Sequence, residues 1–170
     1  MAYHLTYSET EDRLIVSIDD EEQVIALTRR LTREMVKAIA KLVAQQKSPA
    51  TGGNALVRDT VLNFERSKAV TEAYADGSAR RSQRKSSDAA LSKLARAVDI
   101  SAKKSGGATL VFRDSGNLLT LALDARGIYV LISAIVDIAV IAGWDLPEMA
   151  AWLEPTPSRD ADREPPKVIH

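Results

Sequence analysis

His4, His170 and no cysteine at all are what this chain of 170 residues brings to histidine or thiolate chemistry. Zinc clusters, Cys–His pairs and disulfide scaffolds need several such groups side by side, so those classes are excluded by stock alone. His4 falls in strand-forming sequence and His170 is the last residue; neither has a metal or nucleophile motif beside it. Ser82–Lys85 and Ser101–Lys104 each fit Ser-x-x-Lys, but the companion Ser-Asp-Asn and Lys-Thr-Gly motifs are absent. Asp19, Asp20, Glu21 and Glu22 are four consecutive carboxylates. A calcium loop needs ligands at alternating positions and a glycine, so this run reads as an exposed acidic turn. The glycine pairs at 52–53 and 106–107 lack the Gly-Lys-Ser/Thr ending of a phosphate loop and read as turns. Asp124 and Asp137 lie within apolar sequence. Asp124 is expected to end a strand, and Asp137 to sit one turn into a C-terminal helix, where the helix dipole favours a carboxylate. No catalytic residue, cofactor or metal is expected.

What remains is charge. Lys+Arg and Asp+Glu number 23 each, so the formal charge is zero, and with 45% hydrophobic residues this is an ordinary globular composition. The charges are nevertheless segregated: residues 1–27 hold one basic and seven acidic residues, and 28–47 six basic and one acidic. Arg30, Arg33, Lys37 and Lys41 are spaced by three, four and four, which places them on one flank of a helix. Arg80, Arg81, Arg84 and Lys85 crowd a serine-rich stretch suited to a polyanion backbone, to phosphorylation control, or to nothing more than a solvated linker. Trp144 and Trp152 either anchor a partner surface or close the core over the last helix, the second reading being preferred.

These side chains need elements to hold them. Tyr3–Tyr7 and the alternating Arg13–Ile18 form a hairpin through SETED, and Gln23–Leu27 adds a third strand. Thr28 caps a helix whose Leu31, Met35, Ile39 and Leu42 repeat at four, four and three residues. Asn54 caps a second helix reaching about Ala75, with Val57, Val61 and Phe64 on one face. Asp88 should cap a short helix carrying Leu91, Leu94 and Ala95. Strands follow at Val98–Lys103 and Ala108–Arg113. Gly127–Trp144 is apolar but for Asp137, whose burial in a bilayer would cost roughly 2.5–3.5 kcal/mol, so it reads as a buried strand followed by a buried helix. Residues 154–170, holding four of the six prolines, read as a disordered tail.

Sliding the chain by 105 places Leu14, Val16, Ile18 and Asp19 on Leu119, Leu121, Leu123 and Asp124, and Ile25–Thr28 on Val130–Ser133. An internal duplication is therefore expected. The fold class is α+β: two strand-rich units, about 1–47 and 98–153, with antiparallel sheets, each ending in a helix. A helical connection over 54–97, with a flexible basic stretch at 78–87, joins them into a single domain covering 1–153. Repeated strands closed by one helix resembles the layout of the Whirly and Pur-type single-stranded nucleic-acid-binding folds, without a matching motif residue, and only 5% of the chain is aromatic for base stacking. The leading expectation is a non-catalytic interaction or assembly protein that self-associates or binds a protein partner. The alternative is a nucleic-acid-binding accessory protein whose contacts are weak and salt-dependent. The first ten residues carry neither a basic leader nor an apolar run, so a cytoplasmic location without membrane attachment is expected.

Overall fold

Strand alternation and helix caps set the order of elements. The computed structural model describes residues 3–18, 21–47, 54–77, 92–146 and 151–153. In it β1 (Tyr3–Ser8), β2 (Arg13–Ile18) and β3 (Glu21–Thr28) form an antiparallel meander, and α1 (Arg29–Lys47) follows directly. The hairpin register sets Leu5 opposite Val16 and Val16 opposite Ile25, so the apolar alternates line one face. Thr28 caps α1: its Oγ1 accepts from the Leu31 amide at 3.2 Å. The chain then runs through α2 (Ala55–Ala75), opened by Asn54, whose Oδ1 accepts from the Val57 amide. After β4 (Lys93–Ala95) comes a second meander of β5 (Ala97–Ala102), β6 (Gly107–Arg113) and β7 (Asn117–Asp124), closed by α3 (Ala125–Ile141) and a 3-10 turn at Ala151–Leu153.

The α+β architecture with a helix ending each strand unit is thus present: one sheet in the order β1-β2-β3-β4, the other β5-β6-β7. Three local expectations are corrected. Val130–Ile132 is not a strand but the second turn of α3. The Asp124 carboxylate accepts from the Gly127 amide at 2.6 Å and starts the helix there, and burial of Ile128, Leu131, Ile132 and Ile135 at helical spacing outweighs β-branched propensity. Asp137 consequently lies in the fourth turn, beyond reach of the N-terminal dipole. Leu94 and Ala95 are not helical either: they pair in β4 with Ala26 and Leu27 of β3, in parallel, while Asp88 and Leu91 lie outside the described residues. Of the acidic run, Glu21 and Glu22 belong to β3, and Asp19 and Asp20 lie outside the described residues.

The offset of 105 is also replaced. It sets β2 on β7, one strand out of phase, because period-two alternation matches any strand to any other. The elements instead correspond at a step of 96 from cap to cap, Thr28 to Asp124. At that step Thr32, Met35, Val36, Ile39, Ala40 and Val43 of α1 fall on Ile128, Leu131, Ile132, Ile135, Val136 and Ala139 of α3, and every one of them is buried. The repetition is one of arrangement and buried positions, and it does not establish a duplication.

Each helix packs beneath its own sheet and touches the first strand of the other unit, α1 against β5 and α3 against β1. The core therefore runs through both units, from Leu14, Val16 and Ile25 to Leu110, Phe112 and Leu121. Gly107 can only be glycine: φ is +114°, and a Cβ would stand 2.5 Å from the Leu123 carbonyl oxygen. No helix among the described residues is long and apolar enough to cross a membrane.

Candidate protein-interaction surface

The two unit helices differ in what they show on the side away from the sheets. At the step of 96, α3 has Tyr129, Val130, Ser133 and Ala134 where α1 has Arg33, Glu34, Lys37 and Ala38. The less charged helix takes a neighbour: α2 packs chiefly on α3. The ties are polar as well as apolar. Tyr129 donates its hydroxyl to Glu65 at 2.7 Å, Lys47 of α1 reaches the other oxygen of Glu65 at 2.7 Å, and Arg126 pairs with Asp76 at 2.6 Å. Burial pushes the Glu65 carboxyl up, but donation from Lys47 and Tyr129 prevails and holds it below its ordinary range. Tyr129 is pushed up by burial and by the same carboxylate, so its phenol stays protonated.

The inner face of α2 is thin, comprising Leu62, Arg66, Ala69 and Ala73. Arg66 is buried there and donates to the Leu153 carbonyl at 3.3 Å and to Asn63 at 3.4 Å. Desolvation lowers its pKa and the field of Asp137 raises it, yet Asp137 itself is exposed. Arg66 thus links α2 to the turn at Leu153 and feels the charge of Asp137 on α3.

The expected apolar face of Val57, Val61 and Phe64 is turned the other way. Leu56 is 78% exposed, Phe64 70% and Val57 47%, with Val61 half-buried beside them. Val140 and Ile141 at the end of α3 are exposed too. Because α2 and α3 run antiparallel, joined at Asp76 and Arg126, that end of α3 lies toward the N-terminal half of α2. Leu56, Tyr74 and Val140 were not among the residues singled out from sequence; periodicity locates an apolar stripe but carries no label saying whether the chain covers it.

The predicted contact residues separate into three groups. Arg30 and Lys41 are exposed on α1, and Arg33 and Lys37 are half-buried beside them, with Glu34 3.9 Å from Lys37. Arg80, Arg81, Arg84 and Lys85 lie outside the described residues. Trp144 and Trp152 are buried at 6% and 2% exposure, so neither is offered to a partner as an exposed anchor, and the core-closing reading describes them. Trp144 meets Tyr7 edge-to-face with centroids 5.7 Å apart and donates its indole N–H to Asp12 at 2.6 Å. Trp152 meets Tyr129 in the same manner at 6.2 Å. The N–H donation from Trp144, then that from the Tyr7 hydroxyl, holds the Asp12 carboxyl below its ordinary range.

Among the described residues no three His, Asp or Glu side chains are grouped to hold a metal ion. The outward row of the second sheet, Asp99, Val111 and Thr120, contains no aromatic ring, and Phe112 points into the core. Compared with protein-family models, curated proteins and solved structures, the chain finds no match, so the likeness of layout to the Whirly and Pur-type folds brings no relative's function with it.

Proposed function

We propose that this is a non-catalytic interaction protein that associates with further copies of itself through the outer face of α2 and the end of α3. One observation carries the reading: Leu56, Val57 and Phe64 are exposed on a helix whose inner face is already occupied. Each apolar Å² removed from water contributes about 25 cal/mol, so an uncovered stripe of large side chains gains by finding a partner. Val140 and Ile141, at the end of α3, are exposed as well. Light scattering over a concentration series tests it. Mass should rise with concentration, and replacing Leu56 and Ile141 by lysine should lower it; a strict monomer at high concentration would sink the idea.

A second reading, nucleic-acid binding, is favoured by the outward basic flank Arg30, Arg33, Lys37 and Lys41. Such contacts act through counterion release, so affinity should fall steeply between low and high salt. Binding that survives high salt, or that is indifferent to glutamate at Arg30 and Lys41, would rule this flank out.

A further inference from the structure

Both faces of α2 repeat at heptad spacing: the buried Leu62, Arg66, Ala69 and Ala73 follow by four, three and four, and an exposed row runs along the other side. Val57, Thr60, Phe64, Ser67, Thr71 and Tyr74 follow one another by three, four, three, four and three, the interval of a coiled-coil seam, and all six are exposed. None is charged. Two of the hydroxyls are turned back onto the helix, Thr60 donating to the Leu56 carbonyl at 2.9 Å and Thr71 to the Ser67 carbonyl at 2.8 Å. At these two positions the hydroxyls are already satisfied within the helix, and the row as a whole carries no charge.

Its order of sizes is self-complementary. In two antiparallel helices related by a dyad, residues facing each other have numbers of constant total. Val57 with Tyr74, Thr60 with Thr71, and Phe64 with Ser67 each total 131. Every seam residue thus meets another seam residue, and the large Phe64 faces the small Ser67 of the second copy. Reversing one helix would instead stack Phe64 on Phe64 and Ser67 on Ser67, and would align the two helix dipoles.

Charge points to the same occupant. The positions flanking the seam hold Lys68 as their one charged residue, and Lys68 lies 3.9 Å from Glu72 of its own helix. A partner recognised by charge would be drawn to the basic flank of α1 or the acidic N-terminal segment; a neutral seam fits a neutral seam. From this we infer that a second copy of the chain docks α2 against α2 in antiparallel fashion through Val57, Thr60, Phe64, Ser67, Thr71 and Tyr74. The inference rests on the self-association reading and gives it a geometry. The seam is about 26 Å long and one helix wide. That is a smaller footprint than the roughly 800 Å² per partner of a standard stable interface, so the dimer is weak and concentration-dependent.

Sedimentation of the full chain across a concentration series should show a monomer–dimer equilibrium. Phe64→Lys should weaken it by about tenfold or more, and Ile141→Lys, off the seam, much less. Circular dichroism verifies that both variants remain folded. Because the chain has no cysteine, single-cysteine variants report the geometry directly. Thr60→Cys mixed with Thr71→Cys should cross-link under oxidation between the two variants, and neither should cross-link with itself. Self-linking of either variant alone means a parallel pair and overturns the proposal. A dimer insensitive to Phe64→Lys but lost in Ile141→Lys overturns the seam and leaves self-association standing. A chain that stays monomeric at every concentration overturns both.

Discussion

The two strand-and-helix units share six buried helix positions but lock together differently. In each, the end of the helix reaches the hairpin between the first and second strands of the other unit. At the end of α3, Trp144 fills the corner by Tyr7 and donates to Asp12 at 2.6 Å. At the end of α1, Gln46 donates to the Gly107 carbonyl at 3.4 Å, a contact at the long limit of a hydrogen bond. The difference traces to the hairpins. Asp12 and Gly107 both adopt positive φ before or at the second strand, but only the aspartate carries a side chain that can accept a bond. A turn that needs the left-handed region can take Asp where a carboxylate is useful, and must take Gly where the backbone is crowded.

The sharpest test of this asymmetry is to remove both locks. Trp144→Ala deletes a buried indole and should cost about 3–5 kcal/mol in urea unfolding. The helix cores should respond alike, since Ile39 and Ile135 are equivalent and each is 1% exposed. Ile39→Ala and Ile135→Ala are each expected to cost about 2–5 kcal/mol. A difference between them larger than about 2 kcal/mol would break the equivalence drawn from the step of 96. Thr28→Ala and Asp124→Ala each remove one helix cap, with an expected loss of about 1 kcal/mol measured by thermal unfolding. Gln46→Ala is expected to cost less than about 0.5 kcal/mol, and a loss as large as that of Trp144→Ala would mean that the locks are equal.

Acid distinguishes the two locks again. The Asp12 carboxyl is held low in the folded chain by Trp144 and Tyr7, so the folded state binds its proton less readily than the unfolded state. Its contribution to stability is present above the unfolded carboxyl pKa, near 3.9, and is lost as pH falls through the lower folded value. Asp12→Asn should therefore flatten the stability profile below about pH 4 and change little at pH 7 beyond a constant offset. An unchanged acid limb in that variant would show that Asp12 is not what titrates.

Much of this was readable before any coordinates. The alternation of Leu14, Val16 and Ile18 marks β2, and Thr28 and Asn54 mark helix starts to the residue, because a hydroxyl or amide facing the first-turn amides acts within three residues. The candidate surface was half readable. The interval through Val57 and Phe64 stands in the sequence, but which side of α2 the core would take does not.

By itself the sequence determined the meanders, the caps, the separation of acidic from basic segments and the absence of thiol chemistry, all of which rest on residue identity or on contacts a few positions apart. Three matters were left to the tertiary structure. Val130–Ile132 became helix because the core beneath β6 and β7 accepts Ile128, Leu131 and Ile135 at helical spacing. Leu94 and Ala95 became a strand because β3 offered an open edge. The inner face of α2 was chosen by Tyr129, Arg126 and Lys47, residues 18 to 64 positions away from those they hold, and so left Phe64 in water. Burial is a property of the surface a segment meets, and that surface is assembled from parts of the chain that no local pattern can see.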